Sequence, residues 1–298
     1  MRPMETPWTQ LKIEKKPAEG ATVDVMGGSG RWEIPVHDHG LVALVDVMPR
    51  LVPEGKTADM AIVQAARVSY GAGTKQVNED RGLIRYLARH RHTTPFEMVE
   101  FKFHHVMPIF VARQWIRHRT ANVNEYSARY SVVQERFYHP TPEYIRQQST
   151  TNRQGGQTPV DELTAEQFSE YLKTSEAQYE RYAHFLEKGV SREVARMALP
   201  LNVYTEWYWK IDLHNLFHFL SLRMDAHAQQ EIRDYANAMF ALIQPIVPIA
   251  AEAFLDYQLG GIHLSRLEIA ALRGGEGLNT SNKREASEWE EKKRQMGV

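Results

Sequence analysis

The chain has no cysteine among its 298 residues. That absence excludes disulfides, cysteine-ligated zinc, iron–sulfur clusters and thiolate catalysis together. No stretch approaches the roughly 18 uninterrupted apolar residues of a membrane span. The first residues, MRPMETPWTQLKIEKK, lack the apolar centre of a secretory signal, so a cytoplasmic location away from membranes is expected. Excess charge is lacking too: a formal net charge of −1 argues against a protein whose main task is to coat nucleic acid. No G-x-G-x-x-G follows a strand pattern, so the common dinucleotide-binding fold is not indicated, and no internal repeat is visible. His90 and His92 lack clustered acidic partners, and no metal site is expected there.

What is present suits a packed protein. The apolar share of 43% is ample for a core, and the charged share of 24% is that of an ordinary soluble chain. Residues 1–38 are polar without sustained period and read as an N-terminal extension. Residues 39–272 carry the periodic segments of one domain. Residues 273–298 are charged and rich in Gly and Ser, and read as a disordered or weakly helical tail. Residues 41–52 are strand-like, whereas 57–70 and 81–90 have helical spacing, the first with Thr57 as N-cap. Val99, Phe101 and Phe103 alternate with Glu100, Lys102 and His104, the period of a strand with one buried face. Pro108 then opens a helix to about Ile116.

Residues 130–156 read as a polar surface loop. Thr164 and Gln167 form a capping box for a long helix that Gly189 stops. Ser191 can cap a short helix ended by Leu199-Pro200, and 203–211 is an aromatic strand. Asp212 can cap the helix that follows, to about Asp225. On its wheel Leu213, Leu216, Phe217, Leu220 and Met224 form the core stripe. Arg223 borders that stripe on one side and His214 and His218 on the other, which offers polar groups to two different neighbours. Residues 231–259 are helical with breaks at Pro245 and Pro248, and 264–272 form a last short helix.

One stretch is poorly explained by folding alone. Residues 117–129, RHRTANVNEYSAR, put three arginines, a histidine, two asparagines, a glutamate and a serine behind the apolar segment 109–116. Arginine presents a rigid planar fork of donors that suits phosphate and carboxylate. Arg117 and Arg119 flanking His118 therefore read as a site for an anion with several oxygens.

The pattern of that stretch, R-H-R-x-x-S-x-N-x-x-S-x-R, resembles the signature of the flavin-dependent thymidylate synthases. It stands here as Arg117, His118, Arg119, Asn124, Ser127 and Arg129, with Asn122 in place of the first serine. The resemblance runs from about His90 to Gln230. It includes His92-Thr93-Thr94-Pro95-Phe96-Glu97, Arg196 in A-R-M-A-L-P, and Arg223. The family's Asn-Ala-Arg is replaced by Asp212, Leu213 and His214, with His218 four residues on from His214.

What the resemblance implies is a mixed α/β (α+β) domain, the thymidylate synthase-complementing fold, with a twisted, mostly antiparallel sheet and long helices. It implies a homotetramer with active sites shared between subunits. It implies conversion of dUMP to dTMP with the methylene of 5,10-methylenetetrahydrofolate and electrons from NADPH through FAD. His92, Thr94, Arg117, His118, Arg119, Asn124, Glu125, Asp212, His214 and His218 would then face the flavin. Gln114, Arg117, Glu125, Ser127, Arg129, Arg196 and Arg223 would face dUMP, with Arg223 also the catalytic cation. A thymidylate synthase that works with a cysteine thiolate is excluded here, which fits a reduced flavin. Ser127 is expected to position dUMP, since an unassisted hydroxyl is a poor nucleophile. The rival class is an arginine-rich RNA-binding module; it accounts for the arginines but not for the near-neutral charge or the other matching segments.

Overall fold

The alternation at Val99, Phe101 and Phe103 does produce a strand, and it lies inside the main sheet of the molecule. The computed structural model describes residues 6–16, 31–50, 52, 54–68, 80–150, 155–275 and 277–298. Two compact units divide the chain, residues 1–252 and 253–298.

The strands of the first unit are β1 (Glu14–Lys16), β2 (Arg31–Val36), β3 (Gly40–Met48), β4 (Glu100–Pro108), β5 (Asn122–Glu125), β6 (Arg146–Gln148), β7 (Gly156–Pro159) and β8 (Tyr204–Asp212). Its helices are α1 (Asp59–Val68), α2 (Asp80–Arg89), α3 (Thr94–Glu97), α4 (Ile109–Trp115), α5 (Glu162–Glu187), α6 (Arg192–Ala195), α7 (Leu213–Arg223) and α8 (Gln230–Ile243). Helix α9 (Pro248–Phe254) follows. Among the described residues the main sheet runs β1-β2-β3-β4-β8-β5, antiparallel at every pairing, and β6 and β7 form a separate pair.

Register explains the core. Strand β4 pairs with β8 so that Phe101 faces Ile211, Phe103 faces Trp209 and His105 faces Trp207. Phe101 and Phe103 are fully buried, as the alternation requires. Alternation ends at His105, because the last part of β4 is covered on both faces. The His105 imidazole accepts from the indole N–H of Trp207 at 3.2 Å, and burial pushes its pKa well below the usual histidine value. Around it an aromatic layer closes. The Trp115 ring of α4 lies 4.5 Å from His105, 5.5 Å from Trp209 and 4.8 Å from Phe219. Aromatic contacts at such distances add about 0.5–1.5 kcal/mol each beyond the area they bury.

Helix α7 begins as expected, with the Asp212 side chain accepting from the Asn215 N–H at 2.9 Å. Its stripe of Leu213, Leu216, Phe217, Leu220 and Met224 is buried, joined by Phe219. Gly189, at φ 84°, follows the C-cap of α5, a backbone conformation that suits glycine.

Several expectations are corrected. Asp161, not Thr164, is the N-cap of α5: its carboxylate accepts from the Thr164 N–H at 2.9 Å. Residues 31–36, read as extension, form β2 and pair with β3. Residues 130–150 are more than a surface loop. Val133 and Phe137 join a buried cluster with Tyr182 and Val203, and Tyr138 lies in a second cluster with Val106 and Tyr204. Residues 151–154 lie outside the described residues, as do 17–30 of the segment read as extension.

In the second unit, α10 (Arg266–Gly274) opens with a capping box between Ser265 and Glu268. The segment read as a tail forms α11 (Lys283–Met296), capped by Asn282. Pairs one turn apart, Lys293–Glu290 at 2.8 Å and Arg284–Glu288 at 3.1 Å, support it. The Lys292 ammonium meets Glu268 at 2.8 Å and ties the two helices together. Among the described residues no helix is long and apolar enough to cross a membrane.

Candidate active site

The arginine-bearing stretch leaves the core directly after one of its largest fully buried side chains. Trp115 is fully buried; Arg117 and Arg119, two and four positions later, are exposed, with half-buried His118 between them. The His118 backbone N–H donates to the Trp115 carbonyl at 3.0 Å, a turn that fixes where the loop departs. The chain then runs into β5, which pairs with the edge of β8: Asn124 lies opposite Tyr208 and Glu125 opposite Trp207.

His118 reaches back to α7. The Nε–H of Arg223 donates to His118 Nε2 at 3.1 Å. The His118 ring stands 4.8 Å from Phe219, edge to face, and 6.1 Å from His218. Burial, the Arg223 guanidinium and His218 together hold the His118 pKa down at about 4, so the imidazole is neutral near pH 7. Burial also lowers the Arg223 pKa, yet an arginine stays cationic. Arg223 and His218 therefore meet one neighbour, His118, and not two different ones. Nor does Arg223 pair with Asp225 or Glu231. The Asp225 carboxylate takes the His227 N–H at 2.7 Å, and Glu231 accepts from the Tyr138 hydroxyl at 3.3 Å.

Beside Arg223 lies a cleft of about 540 Å³, lined among others by Gln114, Ser221, Asp225, His227 and Gln229. The Gln114 amide donates to Gln229 Oε1. At the other end of α7, the Leu213 N–H donates to the Val99 carbonyl at 2.8 Å, and α3 packs on α7. This sets Thr94, in the first turn of α3, and exposed His92 near the helix end that bears Asp212 and half-buried His214.

A second group stands apart from the first. Glu125 accepts from the Thr205 hydroxyl at 2.7 Å. The Arg129 N–H donates to Ser127 Oγ at 3.3 Å, and its side chain pairs with Glu193 at 3.1 Å. Arg196 is exposed on the 3-10 turn after α6. Among the described residues no hydrogen bond or ion pair joins Ser127, Arg129 or Arg196 to the His118–Arg223 pair. Arg117, Arg119 and Arg196 have no carboxylate partner among the described residues either. No group of three metal-binding side chains is found among those residues.

Residue-by-residue reading missed Gln229, Glu193, Thr205 and Phe219. Phe219 had a signal, since it precedes Arg223 by one turn and so lies beside it on the helix. Gln229 stood within the stretch of resemblance, which runs to about Gln230. Glu193 and Thr205 carry no local signal.

A family model described as thymidylate synthase complementing protein matches residues 50–249. The flavin-dependent thymidylate synthase of Dictyostelium discoideum is 65% identical over 291 residues, which cover 98% of this chain and 96% of that one. That of Thermus thermophilus is 55% identical over 245 residues, 82% of this chain and 86% of the relative. Among solved structures, the UMP/dUMP methylase PolB from Streptomyces cacaoi bound with 5-Br UMP aligns with a TM-score of 0.65 at 33% identity. That alignment covers 75% of this chain and 97% of that one.

Proposed function

Because the chain belongs to the flavin-dependent thymidylate synthases, we propose that it makes dTMP from dUMP, with 5,10-methylenetetrahydrofolate as carbon donor and NADPH as reductant through FAD. The observation that carries the residue assignment is Arg223, a half-buried cation hydrogen-bonded to His118 at a cleft, in a chain without cysteine.

The donor set fits a flavin dinucleotide. Arg117 and Arg119 are exposed guanidinium groups without a carboxylate among the described residues, which suits a pyrophosphate. His92, Thr94, His118, Asn124, Glu125, Asp212, His214 and His218 would hold the rest of the group. When bound and reduced, the flavin supplies the hydride. Hydride addition would place negative charge on the uracil carbonyls and on the nitrogen between them. Arg223 meets that charge with a cation that does not lose its own proton, where a buried lysine titrates more readily. Gln114 lines the same cleft, its amide oriented by Gln229, and suits the uracil edge.

Ser127, Arg129 and Arg196 would take the dUMP phosphate. Their separation from Arg223 within one chain supports a site completed by another subunit. Exposed Met197 and Leu201 beside Arg196 support the same reading, at 77% and 64% exposure. A homotetramer in the cytoplasm is part of this reading. Light scattering at micromolar concentration should give about four chains, and a fully active strict monomer would contradict the shared site. The purified protein should be yellow, with FAD released on heating; a colourless protein that does not take up FAD would overturn the assignment.

A further inference from the structure

His118 occupies a place that anion binding alone does not explain. Its neighbours in the loop, Arg117 and Arg119, point to charge, whereas its own ring is tucked against α7. There the charged and titratable groups facing it are Arg223 and His218, with Arg117 and Arg119 beside it in its own segment. Phe219 covers the ring edge to face and limits its rotation. A neutral imidazole whose Nε2 accepts a hydrogen bond must carry its own proton on Nδ1.

We propose that His118 is a positioning residue for Arg223: its Nε2 takes the Nε–H, which turns the guanidinium so that its two terminal amino groups remain for the cleft. This rests on the reading of Arg223 as the cation that meets the charge on uracil. Arginine has five N–H donors in a fixed plane. One hydrogen bond at Nε, with a buried aromatic side chain behind the acceptor, sets the orientation of that plane. A protonated His118 could not serve, because an imidazolium has no lone pair to offer. Burial and the adjoining cation keep it neutral down to about pH 4.

The test is a mutant cycle on the holoenzyme, with FAD occupancy checked by absorbance in every variant and FAD kept saturating. His118→Leu removes the acceptor; His118→Gln restores an oxygen that can accept. His118→Leu should lose roughly 10- to 150-fold in kcat, the worth of one hydrogen bond to a charged group, with a smaller change in KM for dUMP. His118→Gln should lose far less. Combining His118→Leu with Arg223→Ala should cost little beyond Arg223→Ala alone, since both remove one unit.

Nitrogen-15 NMR of the holoenzyme gives a readout apart from turnover. The parent should show His118 protonated at Nδ1 and not at Nε2, and the Arg223 Nε–H protected from water exchange. His118→Leu should remove that protection. Multiplicative losses in the double variant, or an Arg223 Nε–H signal unchanged in His118→Leu, would overturn the proposal. If Arg223→Ala turns over at near the parent rate while the NMR signature holds, the positioning stands and the catalytic reading of Arg223 fails.

Discussion

Trp115 and Arg117 are two residues apart and belong to opposite regimes. Trp115 sits in an aromatic layer with His105, Trp209 and Phe219, and is fully buried. Arg117 is exposed, with no ion-pair partner among the described residues. The first region is packed by the chain's own aromatic side chains; the second keeps guanidinium donors that no carboxylate among the described residues takes up. His118 joins the two, since it leaves the core beside Trp115 and ends on Arg223. Folding energy accounts for one side of this short segment, and the proposed binding for the other.

Breaking the core side should give the largest effect. Trp115→Ala should destabilise the fold by about 3–5 kcal/mol, the usual range for deleting a large buried aromatic side chain. Thermal or denaturant unfolding measures it, and a loss below about 1 kcal/mol would mean that the layer is not a packing unit. Arg223→Ala should leave the fold and flavin intact and reduce kcat by about 10²–10³, the typical cost of removing one preorganised donor from a developing oxyanion. A near-parental rate in a flavin-loaded variant would leave Arg223 a structural role only. Arg117→Ala and Arg119→Ala should each weaken FAD or dUMP binding by roughly 10- to 150-fold, read by flavin retention and by apparent dUMP affinity. Unchanged values in both variants would remove the loop from the binding site.

The comparison also shows what was legible in the sequence. The strand of Phe101 and Phe103, the Asp212 cap and the stripe of α7 follow from local spacing, because period and capping are local physics. The family of the chain was legible in the pattern of the arginine stretch. Burial of Val133, Phe137 and Tyr138 was not, since it depends on partners such as Tyr182 and Val203 far along the chain. The Arg223–His118 contact spans 105 positions, and wheel geometry alone assigns Arg223 and His218 to different neighbours. Asp161 was passed over as a cap because Thr164, three residues on, offered the same chemistry.

Two smaller effects sharpen the boundary. Ser127→Ala should keep measurable turnover if, as proposed, Ser127 only positions dUMP; complete loss with intact dUMP binding would contradict that. The second effect concerns pH and stability. The His118 pKa is about 4 in the folded protein against an ordinary 6.5, so the unfolded chain binds the extra proton between those values. Stability from His118 is thus present above about pH 6.5 and is lost as pH falls toward 4, with no further loss below. His118→Gln should flatten that part of the profile relative to the parent, and identical profiles would show that His118 does not carry the effect.

The central claim is that a chain without cysteine methylates uracil with electrons drawn from a bound flavin. The direct measurement is anaerobic: reduce the bound flavin, add dUMP and 5,10-methylenetetrahydrofolate separately and then together, and follow the flavin spectrum alongside dTMP. The account predicts reoxidation only when both are present, with dTMP formed in step with the flavin oxidised. Formation of dTMP with the flavin left reduced, or by flavin-free protein, would contradict it.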